Sequence, residues 1–166
     1  MKRTPHFAAA ACAVATAVAP LVFFAPSAAA DSATCSGGQL HFATSPIGMN
    51  SAPVNGTFNG TVDGCGVKTF HGDFTGTASC WDTQVNINGV LTWDDGQTST
   101  VSGPWHVPGG MAPPPVTNTV PITDGRGAGG SVTVSEAGID AGAVAGPCMA
   151  GSARDLSIQI TSLQVN

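Results

Sequence analysis

His71 and Asp73 stand two residues apart in the run Phe70-His71-Gly72-Asp73-Phe74. At the rise of a β-strand this spacing puts an imidazole and a carboxylate on one face, about 7 Å apart. Such a pair can share a proton or contribute to a metal site. A solvated strand face has the same alternation, and that reading is favoured. His41 and His106 have no patterned partner. Twelve serines follow residue 30, none of them in Gly-x-Ser-x-Gly, the turn that presents a hydrolase nucleophile. There is no His-Glu-x-x-His for zinc. Residues 125–130 are glycine-rich, but no helix follows to receive a phosphate, so they read as a hairpin turn. Asp94-Asp95-Gly96 lacks the alternating acids of a calcium loop. These residues nominate no catalytic group, metal or cofactor, and the chain reads as a non-enzyme.

Binding chemistry has better candidates. Trp105, His106 and Met111 lie in a proline-rich stretch that includes Pro113-Pro114-Pro115. An exposed aromatic beside such a loop suits a sugar, a peptide or a flat apolar molecule. Trp93 is a further candidate, while the plainer reading has Trp81 and Trp93 filling a core and Trp105 packing its loop against a sheet.

The elements that would position these residues are strands. All 22 glycines fall after residue 30, and short β-branched runs alternate with Gly, Pro, Asn and Asp, the signature of strands and turns. Strands are expected at residues 39–44, 54–62 and 68–80, the last with Phe70, Phe74, Ala78 and Cys80 on one face. Val85, Ile87, Leu91 and Trp93 then share a parity, and Asp94-Asp95-Gly96-Gln97 turns the chain back into residues 98–102. Residues 103–115 read as a loop, because proline offers a sheet no ladder donor. Strands follow at 116–123 and 131–135, then a short helix or ordered loop within 137–152. The closing strand, 155–165, changes parity after Ile160 and so predicts a bulge at Thr161-Ser162. Seven to nine short strands without a crossover helix give an all-β fold, an antiparallel β-sandwich or partly closed barrel.

Residues 1–30 have the layout of a secretory signal: Lys2 and Arg3, an apolar stretch, then Ala28-Ala29-Ala30, with cleavage expected after Ala30. A membrane anchor and lipid attachment at Cys12 are the weaker alternatives. Residues 31–166 then form one domain with no further span. In it Leu, Ile, Val and Phe number only 27, a lean core that disulfides would reinforce. Cys35, Cys65, Cys80 and Cys148 allow three pairings. The favoured one is Cys35–Cys65 with Cys80–Cys148, each bond contributing roughly 2–4 kcal/mol. No Cys-x-x-Cys points to zinc. Lys68, Arg126 and Arg154 face ten acids in this segment, a net of −7, which disfavours nucleic acid as a partner.

Thr34-Cys35-Ser36-Gly37-Gly38-Gln39, Gly76–Cys80, the block Thr92-Trp-Asp-Asp-Gly-Gln-Thr-Ser-Thr100, Gly125-Arg-Gly-Ala-Gly129 and a late Cys148 together resemble a group of small exported proteins of streptomycetes and related actinobacteria. The resemblance covers most of residues 35–165 and departs at 103–115 and 137–146. It implies export and an antiparallel sandwich, and brings no reaction or catalytic residue. The expectation is a secreted, extracellular binding or structural module. The alternatives are a small hydrolase using His71 or His106, and a carrier of a hydrophobic small molecule.

Overall fold

The computed structural model describes residues 32–109, 114–137 and 141–166. The expected signal segment with its cleavage site after Ala30, and Met111, lie outside the described residues. Nine strands and one helix follow one another as β1 (Ala33–Cys35), β2 (Gly38–Ile47), β3 (Ala52–Val62), β4 (Val67–Ala78), β5 (Asp82–Trp93), β6 (Thr98–Pro108), β7 (Val116–Gly125), β8 (Ser131–Glu136), α1 (Ala141–Met149) and β9 (Ala153–Val165). From β2 to β9 each strand pairs antiparallel with the next, and β9 returns to β2. The result is a closed eight-stranded meander; of the two expected architectures it is the barrel, complete rather than partial. β1 is the extra strand and continues the line of β2 along β9, with Cys35 opposite Leu163 and Gly38 opposite Ile160.

The interior is filled by an arrangement written into the sequence. On β3 the inward positions read Val54, Gly56, Phe58, Gly60, Val62, and on β4 Phe70, Gly72, Phe74, Gly76, Ala78. The register sets Gly56 against Phe74, Phe58 against Gly72 and Gly60 against Phe70. Each ring therefore lies beside a position with no side chain; a Cβ on Gly72 would sit 2.7 Å from Phe58 Cζ. Alternating large and small residues in this way fits bulky rings into a narrow barrel. A lean set of apolar residues suffices because four phenylalanines and Trp105 form one linked row, Phe74–Phe42–Phe58–Phe70–Trp105, with centroids 4.9–6.5 Å apart.

In a meander alternate turns gather at the same end, and each end carries one disulfide. Cys35–Cys65 closes the end where the β3–β4 and β5–β6 turns meet through Asp94 N–H and Gly66 C=O (2.8 Å). Cys80–Cys148 fastens α1 over the other end, where Cys80 N–H donates to Gly48 C=O. The favoured pairing is the one observed. By loop-closure entropy, sequence separations of 30 and 68 residues correspond to roughly 3.5 and 4.5 kcal/mol. The β5–β6 turn takes Gly96 at φ +84°, the conformation an Asp-Gly turn was expected to need. Glu136 faces Ile160 while Ser135 faces Ser162, so Thr161 is the extra residue of the expected bulge.

The 103–115 segment departs from expectation. Residues 103–108 belong to β6, in continuous register with β5 from Thr92↔Thr98 to Asp82↔Pro108. Proline is accommodated there because its nitrogen faces the other neighbour. β6 pairs with β7 only at Ser99↔Gly125, Thr100↔Asp124 and Val101↔Ile122, and then the ladder lapses. His106 directs its backbone N–H and C=O toward β7, where they meet the Asn118 side chain, so Pro104, two residues earlier, faces the same way. Across the gap, Ser131 exchanges both backbone bonds with Asn166, which leaves the nitrogen of its β7 partner Pro121 pointing at β6. The two strands thus confront each other with prolines, and the barrel wall has a seam.

Candidate functional site

The seam widens toward the Cys80 end into a groove of about 660 Å³. Gln84 and Asn86 of β5, His106 of β6 and Thr117 and Thr119 of β7 form its sides, with Trp105 and Asn118 at its floor. Asn118 points inward from β7 and bridges the gap: its Oδ1 accepts the His106 N–H (2.9 Å), and its Nδ2 donates to His106 C=O (2.9 Å). A side-chain amide thus replaces one missing rung of the ladder.

Behind this bridge lies Glu136. It is fully buried, and its Oε1 accepts hydrogen bonds from Trp105 Nε1–H and Asn118 Nδ2–H, both at 3.1 Å. Its Oε2 has no partner among the described residues. Burial pushes the carboxyl up to about 8, against the opposing pull of the Trp105 and Asn118 hydrogen bonds, because low-dielectric surroundings penalise the charged form. Near neutrality Glu136 is therefore mostly a neutral acid. On the solvent side, Asp82 Oδ1 meets His106 Nε2 at 2.6 Å and Asp82 Oδ2 accepts from Gln84 Nε2 at 2.9 Å. The His106 hydrogen bond holds the Asp82 carboxyl below its usual range despite some opposing desolvation.

The sequence candidates separate here. His106 is half exposed and lies on the groove. Trp105 is only 2% exposed and gives the groove its floor; it is not a surface aromatic. The exposed tryptophan is Trp81, at 51%, where a core position was expected. Ser79 Oγ accepts from both Trp81 N–H and Asp82 N–H, a tight turn that holds Trp81 at the loop tip. Trp93 is buried at the opposite end. His71 and Asp73 remain on the outer face of β4 without a bond to each other; Asp73 Oδ1 instead accepts from Asn88 Nδ2 of β5 at 3.5 Å. His41 meets Ser157 on the neighbouring strand at 3.2 Å. Among the described residues no three His, Cys, Asp or Glu side chains gather as a metal site.

Glu136, Asn118, Asp82 and Gln84 escaped the sequence reading. A signal for Glu136 existed: Val132, Val134 and Glu136 share a parity on β8, so an acid stood in line with two core residues. In comparisons of the chain with protein-family models, curated proteins and solved structures, no match was found.

Proposed function

We propose that the protein is a secreted, non-enzymatic binding module that takes a polar ligand in the β6–β7 groove. The observation that carries this reading is the seam itself: two strands of a closed barrel held apart by Pro104 and Pro121 and bridged by one amide, beside which an open groove of about 660 Å³ runs over β4–β7, its amides, hydroxyls and imidazole set among Val85, Pro104 and Trp105. Pockets of this size suit small ligands. Its two disulfides suit an oxidising compartment, and the resemblance to exported actinobacterial proteins agrees with that. The interior gives less support to a hydrophobic carrier, since the apolar void beside Phe42, Phe74 and Trp105 is about 20 Å³.

The test is amide chemical-shift mapping against a mixture of neutral sugars and peptides. Saturable shifts clustered on Gln84, Asn86, His106, Thr117 and Thr119 are expected; shifts confined to other strands would refute the assignment. The Asp82–His106 contact also favours a second reading, a hydrolase in which Asp82 orients His106 as a base. That reading requires a turnover that His106→Ala abolishes.

A further inference from the structure

We propose that the groove is a saccharide site, gripping an uncharged oligosaccharide by its hydroxyls while one sugar ring stacks on Trp81; this rests on the reading of the groove as a binding site. Asp82 orients two of the groove's recognition groups at once, Gln84 Nε2 at 2.9 Å and His106 Nε2 at 2.6 Å. That leaves Gln84 Oε1 and His106 Nδ1 without protein partners among the described residues, and the Asn86 amide and Thr77 hydroxyl of the same groove have none either. Amides and hydroxyls offer donors and acceptors side by side, and neighbouring sugar hydroxyls, each both donor and acceptor, complement them.

Charge narrows the class further. Asp82, beside the groove, has each carboxylate oxygen holding a side chain of the protein, Gln84 and His106, and the polar side chains that line the groove itself are amides, hydroxyls and that imidazole, with no carboxylate, lysine or arginine among them. An extended peptide adding a strand would meet an interrupted edge: Pro104 and Pro121 each lack a backbone donor, and the Asn118 side chain already occupies the His106 N–H and C=O. Trp81 supplies the remaining component. It stands outside the groove's lining but immediately precedes Asp82, which holds Gln84 and His106; the residue is half exposed, and its backbone is fixed on both sides, its N–H by Ser79 Oγ at 3.2 Å and its C=O by Gly109 N–H at 2.9 Å. A half-exposed indole on a fixed backbone suits the apolar face of a pyranose. The other two tryptophans are each 2% exposed, so a ligand on Trp81 has its own fluorescence reporter.

The experiment titrates the full chain with hexasaccharides of β-1,4-linked glucose, β-1,4-linked N-acetylglucosamine and α-1,4-linked glucose, read by tryptophan emission and calorimetry. A neutral threonine-rich decapeptide forms a parallel arm. At least one hexasaccharide is expected to bind with a submillimolar Kd and to shift the emission. Trp81→Ala and Gln84→Ala, both solvent-facing changes checked for native circular dichroism, should each weaken it by about tenfold. Trp81→Phe should keep most of the affinity while losing the emission shift. Saccharide binding indifferent to Trp81→Ala and Gln84→Ala overturns the proposal, as does the absence of binding by all three hexasaccharides at millimolar concentration. Binding of the decapeptide alone, lost in Gln84→Ala, overturns the saccharide assignment and leaves the groove as a site; no binding in either arm removes both.

Discussion

Trp93 and Trp105 are both buried, both donate an indole N–H to a side-chain oxygen, and lie toward opposite ends of the β5–β6 hairpin. At the Cys65 end, Trp93 Nε1 donates to Ser99 Oγ at 2.8 Å, and Ser99 donates onward to Arg126 C=O at 2.6 Å. The Arg126 guanidinium lies 4.0 Å over the Trp93 ring and pairs with Asp95 at 3.0 Å. Bonds there end on neutral backbone or in water-facing charge. At the Cys80 end the corresponding indole meets a buried carboxyl that retains an unmet oxygen. A barrel can seal a tryptophan with neutral partners, so an ionisable one makes that indole's buried partner responsive to protons.

The largest expected effect tests this directly. An unfolded glutamate titrates near its ordinary 4.5, while Glu136 in the fold titrates near 8. Between these values the folded state holds the extra proton, so stability should fall as pH rises, by about 1.4 kcal/mol per unit. The contribution is complete below 4.5 and lost as pH climbs through about 8, at most about 5 kcal/mol in all. Urea unfolding at pH 5 and pH 8 measures it, and Glu136→Gln should flatten most of the slope. An unchanged slope would show that Glu136 titrates normally.

Next in size is Asn118→Ala, which strands the His106 backbone groups and removes one donor from Glu136. A loss of about 2 kcal/mol is expected, with faster amide exchange at His106 and little change at Trp93. Smallest is Ser99→Ala at the opposite end, about 1–2 kcal/mol and equal at pH 5 and 8. If the loss from Ser99→Ala differed between pH 5 and pH 8, the two ends would not be independent.

Much of this was legible before any coordinates. Alternation gave the inward faces of β4, β5 and β9, and Asp-Gly gave the β5–β6 hairpin, because both depend on local geometry. The parity change after Ile160 located the bulge for the same reason. Barrel closure was not legible, since it depends on β9 returning to β2 across more than a hundred residues. Pro104 was taken to end a strand; whether a proline breaks a ladder depends on which neighbour its nitrogen faces, which only the three-dimensional pairing decides. The candidate site was harder still. Asn118 and Glu136 lie on β7 and β8, far along the chain from Asp82, and none of the three belongs to a motif. Trp81 was misplaced because a Ser79-centred turn outweighed the usual pull of an indole into a core.

The positions of the two sulfur bridges, one at each rim, bear on how the molecule comes apart. A meander without them could unzip hairpin by hairpin from a frayed terminus, exposing short stretches to cleavage at small cost. With β1 clasped to the β3–β4 turn and α1 clasped to the β4–β5 turn, the first strand cannot leave alone, and β9 stays anchored at its start. Opening of the part of the barrel between the two bridges must then involve several staves together, so cleavage there is governed by rare, larger excursions more than by local looseness.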